Sequence, residues 1–256
     1  MNQYSYQKDT SLLKACLVLP TYNEAENIEL IIKAIFSTQS IIKTHQLYVV
    51  VVDDNSPDNT QKIVKQHMKE FPNLHLITGN KIGLGDAYKR GMSFAIKTFN
   101  PDLLLQMDAD GQHDTKLIPE FINLSHNGFS LVIGSRFVPG GETPDFSILR
   151  KFLSITGNFL IRHLGKAANV KDCTSGFRCI KTDLVLKCDL ENFSTRGYSF
   201  QSTLVCELIR NGAKPIEVPI IFKKRMSGQS KLTLRDQIEF LVNIVKITYR
   251  YSEDFI

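Results

Sequence analysis

Two carboxylates stand two residues apart in the run Asp108-Ala109-Asp110-Gly111-Gln112, directly after the apolar stretch 103–107. At the exit of a strand such a pair can share one divalent cation. Hard oxygen donors select Mg²⁺ or Mn²⁺, which in turn bridges a diphosphate. A plainer role, an acidic turn capping the next helix, would use the same residues. Gly111 comes too early in the loop for an EF-hand. A phosphatase with an aspartyl nucleophile also carries Asp-x-Asp after a strand, but usually near the amino terminus, and position 108 disfavours it. A diphosphate site is the better reading. His113 could line it, stand behind it or face solvent.

Other candidates close earlier apolar runs. Asp53-Asp54 follows the run 47–52, and Pro20-Thr21-Tyr22-Asn23-Glu24 follows 15–19. A carboxylate there can accept from a base N–H or a ribose hydroxyl, and a tyrosine ring can lie along a base. Taken singly they read as helix caps and ordinary packing; at one sheet edge they describe a nucleotide pocket. Gly83-Leu84-Gly85 lacks the third glycine of a dinucleotide fingerprint, which disfavours NAD, and no P-loop sequence occurs.

These segments need a scaffold. Residues 15–19, 47–52, 74–77, 103–107 and 131–134 read as strands, the first stopping at Pro20. Between them fall helical patterns: one from Glu24, with Ile28, Ile31, Ile32 and Ile35 at helical spacing, one from Asp58 or Asn59 to Glu70, one to Thr98 and one from about Thr115. Alternation with short connections implies βαβ units, an α/β fold and a mostly parallel sheet. Ligands of open α/β sheets bind beyond the carboxyl ends of the strands. Three of the four segments that fall there are acidic, whereas a bare phosphate would call for a basic, glycine-rich loop. After Gly134 the pattern loosens into an irregular second lobe.

Of the 256 residues 43% are apolar, enough for a full core, which excludes an intrinsically disordered chain. No run reaches the ~18 apolar residues of a membrane-spanning helix. The amino terminus lacks the charged head and apolar region of a secretory signal. Five cysteines, an odd number, suggest free thiols in a reducing compartment; Cys173 and Cys179 lack a Cys-x-x-Cys partner, which argues against zinc. Residues 1–128 carry 12 Lys and Arg against 14 Asp and Glu, a net of -2, whereas residues 129–256 carry 19 against 12, a net of +7. The basic half suits a phosphorylated substrate, an anionic membrane or nucleic acid, or is simply an unevenly charged surface.

Taken in order, PTYNEAENI, VVVDDNSPDNT, GLGDAYKRG, MDADGQHD, GSRFVPGG, DCTSGFR and RMSGQSKL resemble the inverting family 2 glycosyltransferases, and more narrowly the dolichyl-phosphate (polyprenol-phosphate) mannosyltransferase branch. The resemblance runs from about Ala15 to Leu232. It implies a nucleotide-diphospho-sugar transferase (GT-A, Rossmann-like) fold and transfer of mannose, or in relatives glucose, from a nucleotide sugar to a lipid phosphate. It places Pro20, Tyr22, Glu24, Val52 and Asp54 around the nucleoside. Asp108, Ala109, Asp110 and Gln112 fall at the metal and diphosphate, with Asp108, Asp110 and Gln112 as ligands of Mg²⁺ or Mn²⁺. Arg136, Arg150 and Ser154 face the acceptor phosphate, Arg136 also reaching the donor, and Asp110, Arg136 and Arg150 carry the catalysis. Arg225, Ser230 and Lys231 close over the donor phosphates as a mobile loop.

A phosphate monoester is anionic near pH 7, so its oxygen can attack the anomeric carbon without a general base, whereas a hydroxyl acceptor needs one. Hydroxyl-specific relatives often show a tryptophan-bearing motif, and this chain has no Trp. Glu207 is the candidate base if the acceptor is a saccharide or protein hydroxyl, though it also reads as a helix residue. Phe152, Leu153, Ile155, Phe159, Leu160 and Leu164 recur at helical spacing beside Arg150, Lys151, Arg162, His163 and Lys166. That helix could lie in a membrane interface or pack on the core; a second stripe, Ile238, Leu241, Ile244, Val245 and Thr248, reads the same way. The expected organisation is a tail over 1–14, a catalytic domain over 15–235 and a C-terminal amphipathic helix over 236–256. The expected partners are GDP-mannose (UDP-glucose or another nucleotide sugar being the alternative), a dolichyl or other polyprenyl phosphate, a membrane surface and a small membrane-anchoring subunit, with no nucleic acid. The expected location is cytoplasmic, peripheral on the cytosolic face of a membrane. A non-catalytic nucleotide-sugar sensor would show a broken Asp-x-Asp or a missing Gly-Ser-Arg arginine, and both are intact.

Overall fold

A computed structural model describes residues 12–193, 195, 197, 199–223 and 242. Seven strands form one sheet in the order β3-β2-β1-β4-β6-β5-β7. They are β1 (Leu13–Thr21), β2 (His45–Asp53), β3 (Leu74–Thr78), β4 (Leu103–Gln106), β5 (Leu131–Ser135), β6 (Arg178–Lys181) and β7 (Pro215–Pro219). The first four pair in parallel, and β7 pairs in parallel with β5. Among the described strands only β6 runs against its neighbours, inserted between β4 and β5.

The helices are α1 (Ile28–Ser37), α2 (Thr60–His67), α3 (Leu84–Phe99), α4 (Ile118–His126), α5 (Ile148–Leu164), α6 (Thr182–Lys187) and α7 (Phe200–Arg210). Alternate residues of the central strands bury on opposite faces. Val18, Val50, Val52 and Leu104 pack with Tyr88 and Met92 of α3 and Leu204 of α7. Leu17, Leu19, Val49, Val51 and Leu105 pack with Ile28, Ile31, Ile32 and Ile35 of α1 and Phe121 of α4. Two cores therefore sandwich the sheet, the arrangement a near-continuously apolar strand such as β2 requires.

The expected element types hold, with shifted bounds. β1 continues through Pro20 to Thr21. The carbonyl of Val18 accepts from Met107 of the β4 side, so the missing donor of Pro20, two residues on, points to where β4 pairing has ended. Residues 24–27 form a turn in which Asn27 and Ile28 donate to the Glu24 carbonyl, so α1 starts at Ile28. A 3₁₀ turn over Thr115–Leu117 precedes α4. Residues beyond Gly134 are not separate from the sheet, since β6 and β7 complete it. The sequence hides them because β6 has only four residues and β7 starts and ends on proline.

Candidate active site

The carboxyl ends of β1, β2 and β4 and the amino end of the reversed strand β6 share one edge of the sheet. The reversal brings the loop 172–177 onto the edge that already carries Tyr22, Asp54 and Asp108.

At the β1–β2 corner, Asn23 (φ 54) and Asn55 (φ 51) adopt left-handed backbone, which asparagine tolerates better than most residues. The turns are stitched together by Asp54 N donating to the Thr21 carbonyl at 3.1 Å and Asn23 N donating to Ser56 Oγ at 2.9 Å. Asp53 is fully buried and accepts from Thr21, from the Ser56 amide and hydroxyl, and from Gln61. It is a structural brace. Asp54 instead meets Arg90 of α3, which also holds Asp86. Burial pushes the Asp54 carboxyl up from its ordinary range, with Arg90 opposing. The Lys81 ammonium sits 3.6 Å above the Tyr22 ring. Glu24 accepts from Asn27 Nδ2 at 2.9 Å. Val52 is fully buried, packed against α3 at Gly91, so its side chain belongs to the core. Of the nucleoside candidates, Tyr22, Glu24 and Asp54 thus gather at one corner, and the Val52 side chain does not join them.

The acidic pair lies at the end of β4. Gly111 (φ 75) supplies the left-handed turn that the bend needs. Asp108 accepts from the Tyr88 hydroxyl at 3.1 Å on Oδ1, while His113 Nε2 stands 3.6 Å from Oδ2. His113 is buried between Phe177 and Phe222, with ring centroids 5.1 and 5.5 Å away. It stands behind the carboxylate. Asp110 is 4% exposed, and its Oδ1 accepts from the Gln112 amide at 3.1 Å. Gln112 Nε2 donates to the Lys223 carbonyl at 2.6 Å. Ala109 is buried.

Among the described residues no group of three or more His, Cys, Asp or Glu side chains converges as a complete metal cage. The donor set nevertheless fits a hard cation that takes its remaining ligands from a diphosphate and water. Gly176 adds to the fit: a Cβ there would lie 2.9 Å from Asp108 Oδ2, so the close approach of this loop depends on glycine.

Arg136 is placed by a partner the sequence did not disclose. Its Nε and Nη2 each donate at 2.7 Å to the carboxylate of Asp172, and Nη2 also donates to Thr174 Oγ1. Asn158 of α5 donates to Thr174 Oγ1 and to the Ser154 carbonyl, and accepts from the Cys173 amide. A chain of contacts thus runs from α5 through loop 172–176 to Asp108. Arg150 lies exposed on α5, its guanidinium 3.9 Å over the Phe146 ring. Around it Ile148 is 90% exposed and Phe152 66%, and Leu149, Leu153, Ile155 and Phe159 are exposed too. Of this helix Gly157, Asn158 and Ile161 are buried. No described helix is long and apolar enough to cross a membrane.

Asp172, Asn158, Tyr88 and Arg90 escaped the sequence reading. Three sit inside motifs already quoted (GLGDAYKRG and DCTSGFR), and a polar residue of a core helix or strand exit was the available signal. Arg225, Ser230, Lys231 and the stripe 238–248 lie outside the described residues. Glu207 is buried on α7. All five cysteines are buried and free.

The seven-stranded, mostly parallel sheet with an Asp-x-Asp after β4 is the fold of a GT-A glycosyltransferase. The chain belongs to glycosyl transferase family 2, whose model matches residues 16–188. It is 34% identical to a polyprenol monophosphomannose synthase of Mycolicibacterium smegmatis over 86% of this chain and 81% of that one. It is 32% identical to an undecaprenyl-phosphate mannosyltransferase of Micrococcus luteus, covering 91% and 93%. A dolichol-phosphate mannosyltransferase of Pyrococcus furiosus is 30% identical over 92% of this chain, which spans 64% of its length. Similar solved structures include mannosyl-3-phosphoglycerate synthase from Rubrobacter xylanophilus, with a TM-score of 0.69 at 18% identity, covering 94% of this chain and 74% of that one. Glucosyl-3-phosphoglycerate synthase from Mycobacterium tuberculosis, in complex with Mn²⁺ and UDP-glucose, superimposes with a TM-score of 0.67 at 15% identity over 93% and 79%. At those identities the likeness concerns the fold.

Proposed function

We propose that this glycosyltransferase moves mannose from GDP-mannose to a polyprenyl phosphate, with inversion, while resting on the cytosolic face of a membrane. The observation that carries the reading is the pairing of two unlike surfaces through one loop. The acidic pair at β4 suits a cation-bound diphosphate, and α5 presents arginine, lysine and an exposed apolar face suited to an anionic lipid. The names of the mannosyltransferase relatives support the sugar and the acceptor class.

Tyr22 and Asp54 hold the nucleoside, and Asp108, Asp110 and Gln112 would hold Mg²⁺ or Mn²⁺. The cation, when bound, neutralises charge on the departing nucleoside diphosphate. Arg150, with the Ser154 hydroxyl about one helical turn further along α5, receives the acceptor phosphate. Its oxygen attacks the anomeric carbon; the new C–O bond forms as the bond to the diphosphate breaks, and the electron pair leaves with GDP. No proton has to be removed from the acceptor, so no carboxylate base is needed. Arg136, with one edge on Asp172, steadies the loop between the two phosphates. Arg225, Ser230 and Lys231 would supply charge and hydrogen bonds to the donor phosphates, and the stripe 238–248 or a small membrane subunit would add to anchoring.

Radiolabelled GDP-mannose, polyprenyl phosphate and Mn²⁺ should yield a chloroform-soluble mannolipid. Transfer from UDP-glucose but not from GDP-mannose would overturn the donor. Transfer only to saccharide or protein hydroxyls, lost in Glu207→Gln, would overturn the acceptor.

A further inference from the structure

Tyr88 is fully buried on α3, among Val18, Val52, Met92, Ala95 and Leu104. A phenylalanine would satisfy that cluster, and burying a hydroxyl there costs free energy unless it is hydrogen-bonded. The hydroxyl emerges from the apolar layer at one point only, where it donates to Asp108 Oδ1 at 3.1 Å. Phe200 of α7 stacks beside the ring, with planes 10° apart and centroids 6.1 Å apart. A second buried polar group, the guanidinium of Arg178, held by Gln201 and by the Cys173 carbonyl, lies within electrostatic reach of the ring hydroxyl. The ring is thus enclosed by the core and flanked by Phe200. On the far side of the carboxylate, Gly176 leaves Oδ2 only as much room as a missing Cβ allows.

We propose that Tyr88 is the positioning residue of the acidic pair: its hydroxyl fixes the rotation of the Asp108 carboxylate so that, opposite Gly176, the group is already oriented for a divalent cation. This rests on the reading of Asp108 and Asp110 as cation ligands. Groups that orient metal ligands from behind typically change metal affinity by about 10–100-fold when removed.

The test uses the full chain and Mn²⁺ followed by electron paramagnetic resonance, with and without GDP. Tyr88→Phe should weaken Mn²⁺ binding about tenfold or more, leave metal-free GDP affinity unchanged, and recover its turnover at saturating Mn²⁺. Its thermal midpoint without metal should equal that of the parent. Gly176→Ala, which crowds Oδ2, should move Mn²⁺ affinity in the same direction. Unchanged Mn²⁺ affinity in Tyr88→Phe overturns the proposal, as does a loss matched by an equal loss of metal-free GDP binding. Asp110→Ala separates the two levels. If it binds Mn²⁺ as the parent does, the cation site itself is wrong; if it fails while Tyr88→Phe binds normally, only the role of Tyr88 is wrong.

Discussion

Arg136 and Asp172 meet edge to edge, with two side-chain hydrogen bonds of 2.7 Å and a third, at 3.0 Å, from the Arg136 amide to the same carboxylate. Asp172 is wholly buried. Burial alone would push its carboxyl up, but the facing guanidinium overrides this and holds it below the usual carboxylate range. Asp108 adds a further attractive charge to Arg136, which links the pair electrostatically to the acidic site. Removing one partner of a buried pair strands the other charge, at a cost of about 3–5 kcal/mol. Asp172→Ala should lose that much in urea unfolding at pH 7. The folded carboxyl titrates below its unfolded value near about 3.9, so the pair's contribution is full above that value. It fades as the pH falls through the lowered one. The parent–variant difference should therefore shrink on acidification; a gap that stays constant to pH 2 would contradict this pairing.

The five thiols give a second test. Burial raises all of them, Cys179, Cys188 and Cys206 to about 12. The thiolate is the reactive form, and at pH 8 a thiol of that kind is ionised about once in ten thousand. Ellman's reagent should release almost no colour from the native protein and five equivalents after denaturation. Rapid labelling of one thiol in the folded state would place that cysteine elsewhere.

The exposed apolar face of α5 predicts membrane binding that is separable from folding. Phe152 and Leu149 are each 66% exposed. Replacing both by glutamate should therefore leave thermal stability within about 0.5 kcal/mol. Burial of such a side chain is worth about 1.5–3 kcal/mol, so co-sedimentation with anionic vesicles should weaken at least tenfold. Unaltered vesicle binding would assign the lipid contact to another surface.

Most of the scaffold was legible because parallel core strands such as β2 are apolar runs cut off by acidic turns, and helices such as α1 show their buried isoleucines at regular spacing. β6 and β7 were not, since a short strand that owes its existence to neighbours on both sides carries little local signal. The same holds within the site. Asp108 and Asp110 stand out because their spacing is local. The pairing of Arg136 with Asp172 spans 36 residues and depends on the reversal of β6, which no nearest-neighbour pattern encodes. Asp53 and Asp54 show the limit from the other side: adjacent and chemically identical, they differ in role because one is saturated by Thr21, Ser56 and Gln61 and the other faces Arg90.

The assignment of Arg150 separates a phosphate acceptor from every rival. The residue stands on the exposed face of α5, where its guanidinium lies over the Phe146 ring and takes no part in the buried Arg136–Asp172 pair. Arg150→Ala should therefore fold normally and bind the nucleotide sugar as the parent does. Transfer should fall, because a charge-assisted hydrogen bond to phosphate is worth about 1.5–3 kcal/mol, or roughly tenfold to a hundredfold in kcat/KM. Lysine at this position should rescue only in part, since it keeps the charge and loses the planar fork. Asp110→Ala should behave in the opposite way, failing at donor binding itself. Isothermal titration with GDP-mannose and Mn²⁺, run beside steady-state transfer assays, reads both effects. Should Arg150→Ala weaken donor binding as much as Asp110→Ala does, the arginine belongs to the donor site, and the lipid phosphate must be held elsewhere on the basic half of the chain.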